Sequence, residues 1–116
     1  MGEQPTDPQV REQILREILR IDAGASGWGA SGARAIVTED WVIVILDDLT
    51  LLPNEELLVE HGKHEIVTLV RNQYLRAIQP NLSAAVERAT GHTVVGFASA
   101  DSVEDPRFAV QVFKLK

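Results

Sequence analysis

Trp41-Val42-Ile43-Val44-Ile45-Leu46 is an unbroken apolar run in which no polar residue alternates with the others. Its β-branched side chains favour a strand. A strand apolar on both sides must have both faces covered, by helices, by loops or by a second copy of the protein. Just upstream, residues 33–38 form another β-rich segment. The intervening Glu39-Asp40 is the length of a tight turn, so the two segments read as a β-hairpin.

Downstream of the hairpin, Asp47-Asp48-Leu49-Thr50 ends the strand. Pro53-Asn54-Glu55-Glu56 then opens a short helix expected to reach about residue 61, with proline early and acids facing the positive end of the dipole. After Gly62, helical spacing links Ile66, Val67, Val70, Tyr74 and Ile78, and beyond Pro80 it continues through Leu82, Ala85, Val86 and Ala89 to a stop at Gly91. Pro80 removes one helical hydrogen bond, so a kink or a break into two helices is expected there. Residues 92–99 and 108–115 are further strands, with an acidic loop at 100–107.

Upstream of the hairpin, Val10, Ile14, Leu15, Ile18, Leu19 and Ile21 recur at helical spacing behind Asp7-Pro8, an N-cap and a first-turn proline. They define an amphipathic helix over residues 8–21. Residues 22–32, in which Gly24-Ala25-Ser26-Gly27 is repeated as Gly29-Ala30-Ser31-Gly32 around Trp28, read as a flexible glycine-rich loop. The order α-β-β-α-α-β-β lacks βαβ alternation. It predicts an α+β fold, a two-layer sandwich with a mostly antiparallel four-stranded sheet. The 116 residues suit a single domain spanning 1–116, with 1–7 as a flexible tail.

Composition narrows the function. Without cysteine, disulfides, thiolate metal sites and cysteine nucleophiles are excluded. The net charge of −6 argues against a nucleic-acid backbone binder, because neutralising phosphates needs clustered Lys and Arg. The longest apolar run is far short of the roughly 20 residues that span a bilayer, so no membrane span is expected. The acidic start, with no apolar central stretch, does not read as a secretory signal.

Several constellations invite chemistry. Gly27-Trp28-Gly29-Ala30-Ser31-Gly32 fits the dinucleotide string G-x-G-x-x-G. It follows a helix and precedes a strand, however, so no helix N-terminus points at a phosphate and no cofactor is expected. Ser26 and Ser31 lack the glycine two residues on that a nucleophile elbow needs, and no catalytic residue is assigned. His61, His64 and distant His92 offer nitrogen ligands, but Gly62 interrupts the helix that would align the first two, and no metal site is expected. Adjacent Asp47 and Asp48 point to opposite faces of a strand. Trp28 stands out because a large ring amid glycines must fold back on the core or meet a partner. Arg71, Arg76 and Arg88 read as exposed, salt-bridged positions, with Arg71 retained as a counter-charge for an anionic ligand or partner.

Taken in order, Gly27-Trp28-Gly29, the strand at 42–46, Leu52-Pro53-Asn54-Glu55, Arg71, Pro80-x-Leu82, Thr90-Gly91-His92-Thr93-Val94 and the final Val110-Gln111-Val112-Phe113-Lys114-Leu115 resemble the MpsC-like family. These are small bacterial proteins described as the C component of a Na+-translocating membrane-potential-generating system. Two departures stand out: Leu52 occupies the place of the family's capping threonine, and Ala30-Ser31 replaces its usual proline. The resemblance implies a cytoplasmic, non-catalytic accessory protein near a membrane cation or inorganic-carbon uptake system. Arg71 and Asp101 match the family's recurrent Arg and Asp. With Trp28 they form the expected partner or ligand surface. The leading expectation is a homodimer that also binds larger subunits of a membrane-associated transport system. The alternative is a sensor of a small molecule or anion that uses the glycine-rich loop and Trp28.

Overall fold

The computed structural model describes residues 8–116, so the expected tail at 1–7 and the Asp7 cap lie outside the described residues. The chain runs α1 (Pro8–Ser26), β1 (Gly29–Val37), β2 (Trp41–Thr50), α2 (Pro53–Glu60), α3 (His64–Thr90), β3 (Val94–Ser102) and β4 (Phe108–Leu115). The strands form one antiparallel sheet in the order β1-β2-β4-β3. This is the α+β, α-β-β-α-α-β-β arrangement expected from the periodicities.

The hairpin closes at Thr38, whose N–H donates to the Trp41 carbonyl at 2.8 Å and whose hydroxyl accepts from the Trp41 N–H at 3.1 Å. Val42, Val44 and Leu46 of β2 point inward, as do Phe113 and Leu115 of β4. They meet Ile14 and Ile18 of α1 and Leu75, Leu82 and Val86 of α3 in one continuous apolar core. Each such side chain contributes about 1.5–3 kcal/mol through burial. Strict alternation fails once in β2. Asp48 takes a left-handed φ of 52°, its carboxylate accepts from the Ser31 hydroxyl at 2.9 Å, and beyond it Leu49 rather than Thr50 is buried. Charge at the helix interface is used too, Glu17 of α1 pairing with Arg88 of α3.

Three expectations are corrected. Residues 22–32 are not a flexible loop: α1 continues to Ser26, Gly27 ends it at φ 78° with its N–H on the Ala23 carbonyl, and β1 begins at Gly29. Thus one Gly-Ala-Ser-Gly copy closes a helix while its repeat opens a strand. Pro80 does not break the long helix, which runs through all 27 residues. The Pro80 ring is exposed, buried Leu82, Ala85 and Val86 hold the next turn on the core, and the Gln79 amide donates to the Ser83 hydroxyl across the proline at 2.7 Å. β3 reaches Ser102 and takes up the first part of the expected acidic loop.

Coverage of the sheet is one-sided. α1 and α3 share the core formed with Val42 and Val44, and α2 packs on α3. Ile43 and Ile45 face the other way, half-buried by sheet neighbours, with Ile36, Trp41 and Phe108 exposed at 46%, 39% and 42%. Of the two faces of β2 that need cover, this chain's helices supply one.

Candidate functional site

The site is built where β2 hands over to α2. Leu52 precedes the helix and has no side chain able to cap it. The Glu55 carboxylate reaches back instead and accepts the Leu52 N–H at 2.8 Å. The same carboxylate accepts Arg71 Nε and Nη2 at 2.9 and 2.8 Å, and Arg71 Nη2 also donates to the Thr50 carbonyl at 3.0 Å. Arg71 is 4% and Glu55 7% exposed, so the pair is buried and bidentate. The guanidinium lies 4.4 Å from the centre of the Trp28 ring, which meets Tyr74 edge-on at 5.1 Å.

Trp28, Arg71 and Asp101, singled out separately in the sequence, line one small cavity together with Asp22 and Gln111. Its volume of about 30 Å³ suits a water molecule rather than a metabolite. Trp28 is 8% and Arg71 4% exposed, so both are interior groups at this site, the indole folded back on the core. The cause is mutual: the indole covers the guanidinium, and Glu55 neutralises it. Burial pushes the Asp22 carboxyl up to about 6, against a hydrogen bond from Gln111 and the charge of Arg71. Burial also raises Asp101, with Arg71 opposing and Glu55 adding to the rise. Asp101 Oδ1 and Gln111 Oε1 are buried with no hydrogen-bond partner among the described residues.

The arrangement sets one cation among three carboxylates. Arg71 is already paired with Glu55, and the glycine-rich segment is divided between the end of α1 and the start of β1. Asp22, Glu55 and Gln111 were missed as members of this site. Gln111 carried the one legible signal: it occupies the inward register of β4 between Ala109 and Phe113, where an apolar residue is due.

The histidines do not converge. His61 is exposed with Nδ1 2.9 Å from the Leu57 carbonyl, and His64 pairs with Glu104 at 3.7 Å. His92 lies beyond the far end of α3, about 40 Å away along a helix of 27 residues. Among the described residues no group of three or more His, Asp or Glu could hold a metal ion, and no helix is long and apolar enough to cross a membrane.

A second apolar surface lies beside the site. Ile66, Leu69, Val70 and Tyr74 on α3, with Leu57 on α2, are 44–60% exposed. They flank a groove of about 180 Å³ lined also by Leu52, Leu58 and Val67.

No curated protein and no solved structure matches this chain. A family profile does, over residues 6–116, and its description is the Na+-translocating membrane potential-generating system, MpsC. With nearly the whole chain matched, the protein belongs to the MpsC family.

Proposed function

We propose that this protein is a non-catalytic accessory component of a Na+-translocating, membrane-potential-generating system. In this reading it acts on the cytoplasmic side as a homodimer that binds larger, membrane-associated subunits, without a cofactor of its own. The observation that carries the reading is the amount of apolar surface the chain leaves uncovered after folding: Ile36, Trp41 and Phe108 on the sheet, and Leu57, Leu69 and Tyr74 on the helices. Large contiguous apolar patches mark interaction sites. Family membership supplies the kind of system.

Two measurements test it. Sedimentation equilibrium of the purified chain at micromolar concentration should return twice the monomer mass, and a monomer overturns the homodimer. Cells that encode the protein should lose part of a Na+-dependent membrane potential when it is removed and regain it on complementation. A potential unchanged by removal overturns the assignment to such a system.

A further inference from the structure

We propose that two copies of this chain meet through the outer face of the sheet, sheet on sheet, with β1 of one copy lying over β3 of the other. This rests on the homodimer reading and names its interface.

Register lays the outer face out in rows. One row holds Ile36, Ile43, Val112 and Ala98 across β1-β2-β4-β3, and the next holds Arg34, Ile45, Val110 and Ala100. In these two rows side-chain volume is larger on β1 and β2 than on β4 and β3, and smallest at the alanines of β3. A two-fold axis along the strands, between the sheets, sets Ile36 over the partner's Ala98, Ile43 over the partner's Val112 and Ile45 over the partner's Val110. In these two rows the larger side chain faces the smaller, as interdigitating packing requires. The other possible axis, across the strands, sets Ile43 against the partner's Ile45 and Ala98 against the partner's Ala100, which crowds one side and leaves a void on the other.

Area selects this face over the helical patch. Four strands of 8–10 residues, at about 3.3 Å per residue and about 4.8 Å between strands, cover roughly 550 Å² per copy. Two copies then bury about 1,100 Å², within reach of a specific interface. The helical patch, Ile66 to Tyr74 on α3 with Leu57 on α2, is about 12 Å long and at most two helices wide, about 240 Å² per copy and less than half of the sheet face. Charge is compatible as well. The charged groups bordering the face are paired within the chain, Arg34 with Asp47 at 3.4 Å and Lys114 with Asp40 at 3.0 Å. Lys114 also lies over the Trp41 ring at 4.4 Å. None of these is left as a lone charge when the apolar centre is desolvated.

The test is sedimentation of the full chain and four variants, with circular dichroism to check folding. In a dimeric wild type, Val110→Lys should give a folded monomer, whereas Leu69→Lys on α3 should remain a dimer. The reverse pattern overturns the sheet face while leaving the homodimer standing. A monomeric wild type removes the homodimer and the interface together. Ala98→Phe sits at an exposed edge position and so probes the face even if Val110→Lys does not fold. It should weaken dimerisation about tenfold or more, and adding Ile36→Ala should restore most of the loss. Ala98→Phe without effect, or a loss that Ile36→Ala does not repair, overturns the β1-over-β3 arrangement.

Discussion

The interior of the sheet is apolar along most of its length and polar at one end. Between α1, the C-terminal half of α3 and the sheet, Ile14, Ile18, Val42, Val44, Leu82 and Phe113 are sealed off at 0% exposure and ask only for matching shape. Where β2 leaves the sheet, Arg71, Glu55, Asp22 and Gln111 are nearly as deeply buried but ask for specific partners. The contrast is energetic. Loss of an apolar side chain costs its transfer free energy plus a cavity, whereas loss of one member of the polar group leaves a buried charge without its complement.

The strongest way to break this comparison is at the polar end. Arg71→Met should destabilise the fold by about 3–5 kcal/mol by stranding Glu55, and adding Glu55→Leu should recover a large part, because the buried pair is itself of small net worth. Urea unfolding of both variants measures this. Two losses that simply add would show that the pair acts as independent contacts. In the apolar region, Leu82→Ala should cost about 2–4 kcal/mol, with no rescue from any single neighbour.

Protonation separates the regions further. Asp22 holds its proton up to about pH 6 in the folded chain, against an ordinary value of 3.8, so the folded state binds more protons than the unfolded one between these values. Stability is therefore highest below about pH 4, falls as pH rises to about 6 and is flat beyond, losing about 2–3 kcal/mol from this group. Asp101 is raised as well and adds to the fall. Asp22→Asn should flatten the profile and stabilise the fold at neutral pH, and thermal unfolding across pH 4–8 reads it. An unchanged slope would place the titrating group elsewhere. The smallest effect belongs to the exposed pair Arg34–Asp47, where Arg34→Ala should change stability by at most about 0.5 kcal/mol.

The apolar region was far more legible in the sequence than the polar one. Strand β4 falls where its alternation puts it, at Phe108–Leu115, and Gly91 stops α3 at a φ of 76° as a glycine there should. The repeated Gly-Ala-Ser-Gly could not be read locally, since identical tetrapeptides end a helix at Gly27 and start a strand at Gly29. Their neighbours decide, through the contacts of Ile18 on one side and the pairing of Gly29 with Thr50 on the other. Trp28 stood out as a large ring amid glycines, and Arg71 and Asp101 through the family resemblance, but their convergence depends on a bidentate Glu55–Arg71 pairing sixteen residues apart, which no periodicity encodes. Glu55 looked like an ordinary first-turn acid, and only the depth at which α2 meets α3 gives it a second role.

That second role ties the fate of α2 to the rest of the molecule. An eight-residue helix held by its own hydrogen bonds would fray freely, and its amides would exchange with solvent in brief local openings. Because one carboxylate both closes the first turn of α2 and holds Arg71, releasing that turn leaves a guanidinium in the interior without its counter-ion. Short as it is, α2 should open together with the first turns of α3 as one cooperative unit, so their amides share a common protection against hydrogen exchange.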